Sequence, residues 1–189
     1  MIVKRNDDRM KQALRNQIAV LQNKMADSDL YYLSSQIFQR LVQIEAFQSA
    51  KCVLAYYSFG SEVYTHDFVD ELSHYKKVLL PVVTKDALIL REYLGREKMS
   101  LSRYGILEPT SATFTDYAQI DVGIIPGMVF DRELNRLGRG KAYYDRLLPF
   151  LSNTYLMGVC LPFQLKDNIP VEVHDIKMDC IVTSNEIVL

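Results

Sequence analysis

Apolar positions along this chain switch between two periods, and the switches mark its elements. Over residues 4–23 they recur at helical spacing, as Met10, Ala13, Leu14, Ile18 and Leu21, and predict a first helix. Asp27 and Ser28 form a helix start, and Leu30, Leu33, Ile37, Leu41 and Ile44 carry a second helical face. Residues 52–58 (CVLAYYS) are a short apolar and aromatic run of strand type. Thr65 then stands where a cap for a helix over residues 66–75 belongs. Residues 77–83 and 87–93 read as two further strands, the second alternating apolar and polar like an edge strand. Residues 104–109 are turn-rich and 110–119 a polar loop; residues 121–126 predict a strand, 143–151 a helix, and 155–160 and 180–184 two more strands. Strands that alternate with helices imply a largely parallel sheet covered on both faces, and so an α/β chain. With no repeat, low-complexity tract or linker, residues 1–189 read as a single domain.

The densest run of unusual residues lies between the strand at 121–126 and the helix at 143–151. It reads PGMVFDRELNRLGRGKAYYDR and holds Arg132, Arg136, Arg139 and Lys141 around Gly138 and Gly140. A strand, a basic glycine loop and a helix start can bind phosphate, because the first helical N–H groups are unpaired and arginines add full charge. The general phosphate motifs do not fit. A P-loop needs Ser or Thr after Gly-Lys and a glycine where Asn135 stands, and the dinucleotide fingerprint needs a third glycine where Tyr143 stands. Taken alone, the run reads equally as a solvated basic turn capping a helix. Glu62, just past a strand end, sits where open α/β sheets bind ligands, or is an ordinary loop acid. Lys11 and Arg15, four apart, share one helix face, which by spacing alone reads as solvated.

Composition narrows the partners. A formal net charge of -1 argues against general nucleic-acid binding, so the basic loop suits a small anion. No apolar run reaches the roughly 20 residues a membrane span needs, and the polar start MIVKRNDDRMKQ has no signal-peptide core. Cys52, Cys160 and Cys180, three in number and widely spaced in apolar segments, read as reduced core thiols of a cytoplasmic protein. His66 and His74 have no partner at metal-ligand spacing and read as surface residues.

Taken in order, the motifs resemble the 5-formyltetrahydrofolate cyclo-ligase (5,10-methenyltetrahydrofolate synthetase) family. The resemblance rests on Lys11-x-x-Leu14-Arg15, Ser61-Glu62-Val63-x-Thr65 and Tyr104-Gly105-Ile106-x-Glu108-Pro109. It rests further on Pro126-Gly127-x-x-Phe130-Asp131, on the specific signature from Arg136 to Asp145, and on Gln164, Pro170, Glu172, His174-Asp175 and Asp179. Two positions depart from it: Ala142 stands where the family usually has Gly, and Leu134 where it has Gly or Asn. If position 134 needs a positive φ, Leu is strained there, and the Ala142 methyl would crowd a ligand packed against it.

The resemblance implies a Rossmann-like three-layer α/β/α fold and an ATP- and Mg²⁺-dependent ring closure of 5-formyltetrahydrofolate by a monomer. Phosphorylating the formyl oxygen would make it a leaving group, and N10 would then attack the activated carbon. By the same resemblance, Lys11, Arg15 and the run Arg136, Leu137, Gly138, Arg139, Gly140, Lys141, Ala142, Tyr143 and Tyr144 bind ATP. Arg139 and Lys141 neutralise phosphate charge, and Tyr143 touches the folate near the reacting centre. Asp145 and Asp179 hold Mg²⁺, although Asp145 also suits a helix first turn. Glu62 anchors the pterin, with Tyr57, Phe59 and Tyr104 as aromatic candidates; for Tyr57 core packing is the preferred alternative. A sugar-phosphate isomerase on this fold and a non-catalytic folate- or nucleotide-binding protein are the competing readings.

Overall fold

A computed structural model of the chain describes residues 2–85, 87–102 and 105–189, with side chains from Asp7 onward. Helices α1 (Ile2–Asn23), α2 (Asp27–Leu41) and α3 (Glu45–Ser49) precede β1 (Cys52–Leu54). Then come α4 (His66–Leu72), β2 (Lys77–Val83), β3 (Leu88–Glu92), β4 (Met99–Leu101), β5 (Leu107–Pro109) and β6 (Thr113–Phe114). The second half holds β7 (Val122–Pro126), β8 (Val129–Asp131), β9 (Arg136–Leu137), α5 (Tyr143–Leu147), β10 (Tyr155–Val159), β11 (Leu165–Lys166), β12 (Cys180–Val182) and β13 (Ile187–Val188).

The main sheet has eight strands in the order β13-β12-β10-β7-β1-β2-β3-β6. Strands β12, β10, β7, β1 and β2 run parallel; β13 pairs antiparallel with β12 and β3 with β2, and β6 pairs antiparallel with β3 and so runs in the direction of the central strands. Because successive side chains point to opposite faces, one strand feeds two cores. Val53, Val78, Leu80 and Val122 pack under α2, α3 and α4 with Ile37, Leu41, Phe47, Val69 and Leu72. Leu54, Leu79, Ile125 and Ile181 pack on the other face with Phe130 and with Leu147, Leu148 and Leu151. The result is the expected three-layer α/β arrangement around a mainly parallel sheet.

Beside it lies a small sheet, β11-β8-β9, that the sequence pattern does not predict. Strands of two or three residues are too short to show a period. Ile18 of α1 packs on it with Val129, Leu137 and Ile169. The turn between β8 and β9 is fixed by Asp131, which is fully buried. Its carboxylate accepts hydrogen bonds from Glu133 N (3.0 Å), Asn135 N (2.9 Å), Asn135 Nδ2 (2.9 Å) and Ile169 N (3.0 Å). Phe130 fills the space above Gly127 and Gly158, where an added methyl would come within 2.6 Å of its ring.

Several boundaries differ from expectation for local reasons. β1 ends at Leu54 rather than at 58, because side-chain bonds replace the ladder: Thr65 Oγ1 donates to Tyr56 O (2.7 Å) and accepts from Ser58 N (2.9 Å). So occupied, Thr65 makes no side-chain cap on α4. The second helical pattern breaks at Leu41, and Ile44 precedes α3 instead. α5 stops at Leu147, since Pro149 lacks the N–H the next turn needs, and residues 148–150 form a 3-10 turn. β12 ends at Val182, and β13 turns back against it. β3 is not the edge, because β6 lies outside it. All three cysteines are buried and unbridged, and burial pushes the Cys52 and Cys180 thiols up to about 11. No helix among the described residues is long and apolar enough to cross a membrane.

Candidate functional site

The loop after β1 lies past the C-terminal end of a central strand, where open α/β sheets bind ligands, and the segment after β9, in the small sheet, reaches it. They meet through Glu62 and Arg139. Arg139 Nε donates to Glu62 Oε1 (3.1 Å) and its Nη2 lies 3.0 Å from the same oxygen as an ion pair, while Glu62 Oε2 accepts from Phe59 N (3.2 Å). The same guanidinium lies 4.6 Å from the centre of the Phe59 ring. Helix α1 crosses both segments: Arg15 Nε donates to Gly138 O (2.8 Å) and Gln22 Nε2 to Ser61 O (3.1 Å). Gly140 has φ 88°, and a methyl there would sit 3.4 Å from the Arg15 guanidinium. The cationic glycine loop and the carboxylate-bearing loop are therefore in contact, with α1 as their common brace.

Glu62 is largely enclosed, its side chain 12% exposed. Burial raises its pKa, and the Arg139 charge pulls the other way. Two phenols lie close enough to feel its charge. Tyr56 donates to Val63 O (3.1 Å), whereas the buried Tyr144 hydroxyl has no hydrogen-bond partner; burial first, then Glu62, raises the pKa of both. Behind Tyr144, 5.4 Å from its ring centre, sits Arg136. Arg136 is buried, which lowers its pKa, and Asp145 opposes that as its ion-pair partner through Nη2. Its Nη1 also donates to Pro126 O (3.4 Å).

The other expected residues divide. Lys141 and Ala142 are exposed on the segment beside Arg139. Tyr143 is half-buried, with Arg146 5.3 Å from its ring centre. Lys11 is buried and paired with Glu172 (2.9 Å) and Asp175 (3.8 Å). Arg136 and Leu137 are both buried in β9, so the exposed part of the expected phosphate run starts at Gly138. Tyr57 is buried and stacks on His66 at 3.8 Å, the core-packing alternative; His66 is correspondingly half-buried, bonded to Ser58 O (2.8 Å), and not a surface residue. His74 is exposed. Tyr104 lies outside the described residues. Both departures from the family pattern take a left-handed backbone, φ 69° at Leu134 and 54° at Ala142. With α5 only five residues long, charge at this loop comes from side chains more than from a helix dipole.

Asp145 and Asp179, expected to share a metal, are not brought together. Arg136 and Asp145 sit at Pro126, which pairs with Val159 at the end of β10. Asp179 sits at the other end of that strand, accepting from Leu156 N (2.7 Å) and donating its own N–H to Leu156 O (2.8 Å). Three residues of strand, about 10 Å, separate those anchor points. Asp121 does the same for Lys51 N (2.7 Å) and Cys52 N (2.8 Å), so Asp179 works as a strand-start clamp. Among the described residues no three His, Cys, Asp or Glu side chains gather as a metal cage. Spacing could not reveal these placements, nor the roles of Gln22 and Asp131.

Comparison with known proteins follows the same lines. The family model for the 5-formyltetrahydrofolate cyclo-ligase family matches residues 7–184. The 5-formyltetrahydrofolate cyclo-ligase of Haemophilus influenzae is 27% identical over 176 residues, covering 89% of this chain and 94% of that protein. That of Mycolicibacterium smegmatis is 32% identical over 144 residues, covering 71% and 74%. The solved structure of Aquifex aeolicus 5,10-methenyltetrahydrofolate synthetase superposes with a TM-score of 0.85 at 27% identity, covering 94% of this chain and 91% of that one.

Proposed function

Because the chain belongs to the 5-formyltetrahydrofolate cyclo-ligase family and has that enzymatic activity, we propose that it runs the reaction with ATP and Mg²⁺ through phosphorylation of the formyl oxygen, within one catalytic domain spanning residues 1–189. The formyl oxygen attacks the γ-phosphorus and ADP leaves. N10 then adds to the formyl carbon, the C–O bond breaks to release phosphate, and loss of the N10 proton leaves the methenyl bridge. The protein's task in the first step is to position the two reactants and neutralise charge.

The observation that carries this reading is the contact between Arg139 and Glu62, which puts a cation-bearing glycine segment against a carboxylate and an exposed aromatic ring. Arg139, Lys141 and Arg15 are suited to the triphosphate, with the backbone of residues 138–142 following it. Lys11, one turn before Arg15 on α1, would join them by leaving its pairing with Glu172 and Asp175. Glu62 suits the N–H groups of the pterin, Phe59 its ring face, and Tyr143 the region between the two ligands. Mg²⁺ usually takes one or two carboxylates with phosphate oxygens and water. Asp145, 44% exposed and braced by Arg136, fits that need as a single protein carboxylate, and the ion would there offset phosphate charge. Asp179, committed to the start of β10, is not part of this set.

Mixing the protein with 5-formyltetrahydrofolate, ATP and Mg²⁺ should produce the methenyl absorbance band, and omitting ATP should abolish it. A band of equal size without ATP, or none with it, would refute the reading.

A further inference from the structure

We infer that Arg139 is a gate that covers the pterin subsite and is withdrawn by the triphosphate, so that the nucleotide opens the place where folate binds. This rests on the ligand placements just proposed and adds the order imposed on them.

Arg139 blocks both halves of that subsite at once. Its Nε and Nη2 occupy Glu62 Oε1, and its planar group lies 4.6 Å from the centre of the Phe59 ring. A flat heterocycle that uses the Glu62 carboxylate and the Phe59 face needs the volume and the acceptor that Arg139 holds. The edge of the guanidinium that faces Glu62, Nε and Nη2, is one a bidentate phosphate contact can use, and a phosphate bound there takes it from Glu62. The residue is built to move: its side chain is 44% exposed, and it stands between Gly138 and Gly140, the latter at φ 88°. A triphosphate offers several negative charges against the single charge of Glu62 and accepts bidentate arginine contacts.

Withdrawal also makes Glu62 a better acceptor. Its Oε2 stays with Phe59 N, while Oε1 loses the Arg139 hydrogen bond and ion pair. A carboxylate freed of its cation is open to a ligand that brings N–H groups. Nucleotide and folate binding are therefore positively coupled, and by linkage each raises the affinity for the other by the same factor.

Calorimetric titration with 5-formyltetrahydrofolate tests this, first alone and then with a saturating non-hydrolysable ATP analogue and Mg²⁺. Wild-type protein should bind the folate roughly 5- to 150-fold more tightly with the analogue present, the usual span of such couplings. Arg139→Met, at an exposed position where folding should survive, should bind folate without nucleotide at least as tightly as wild type does, with the coupling factor near one. Arg139→Lys keeps the charge without the fork and should show an intermediate factor. A wild-type factor of one or less overturns the gate, as does weaker folate binding by Arg139→Met, which would make Arg139 a direct folate ligand. If turnover persists while the factor is one, only the gate fails. If neither ligand binds, the proposed sites fail with it.

Discussion

Ala142 and Leu134 hold φ at 54° and 69°, a region that costs an L-residue roughly 1–2 kcal/mol. Ala142 is exposed, so glycine there removes the strain and gives back only about 0.5–1 kcal/mol of chain entropy. Ala142→Gly should raise stability by about 0.5–1 kcal/mol in denaturant titrations. Leu134→Gly should show no such gain, because Leu134 also packs on the second core cluster. Glu62 gives a second expectation. Its folded pKa is raised above the ordinary 4.5, so its contribution to stability is full below that value and is lost as pH rises through the folded pKa. At neutral pH the ionised, enclosed carboxylate is a net cost. Glu62→Gln should therefore melt no lower than wild type at pH 7, and any advantage should shrink as pH falls through the raised folded pKa towards 4.5 and be gone below it. In assays the same change should raise the Michaelis constant for folate more than that for ATP. These residue-scale features were partly legible: a resemblance marked positions 134 and 142 as sites for glycine or asparagine, but only the backbone angles showed that strain is present.

Among the elements, β10 separates two aspartates that the sequence presents as a pair. Asp179→Ala removes the acceptor for Leu156 N and should destabilise by about 1–2 kcal/mol, with the Mg²⁺ concentration for half-maximal activity unchanged. Asp145→Asn should raise that Mg²⁺ requirement. It should also lower the melting temperature, because Arg136, with a side chain 4% exposed, loses its counter-charge; the cost is about 1–3 kcal/mol. An Asp179→Ala enzyme that needs more Mg²⁺ would return that residue to the metal site. The parallel strands were readable because each is a buried run bounded by helical patterns. The β8–β9 hairpin was not, because what specifies it is the four-donor carboxylate of Asp131 and the fit of Phe130 over two glycines. For the same reason Arg136 read as a phosphate ligand: charge is visible in a sequence, but the fold that encloses it is not.

For the molecule as a whole, α1 is the piece that joins the two ligand loops. It touches Gly138, Ser61 and Glu172 through Arg15, Gln22 and Lys11, and is seated by Ile18. Ile18→Ala should cost about 2–5 kcal/mol, the usual range for truncating a fully buried side chain. If α1 is the brace, this change should weaken binding of nucleotide and folate together, measured at a temperature where the variant is still folded. The helix itself was plain from its apolar spacing. Its buried lysine was not, since Lys11 and Arg15 share a face that looks solvated until residues 138 and 172 fold against it.

That arrangement also sets a schedule for biosynthesis. Helix α1 is made before the strands it is seated on, β8 and β9, and is bonded to residues more than a hundred positions downstream. During translation its apolar stripe must wait, open to chaperones, until the segment from Met128 to Ile169 has emerged. A ribosome stalled before residue 130 should thus carry a nascent chain whose N-terminal helix is accessible to protease.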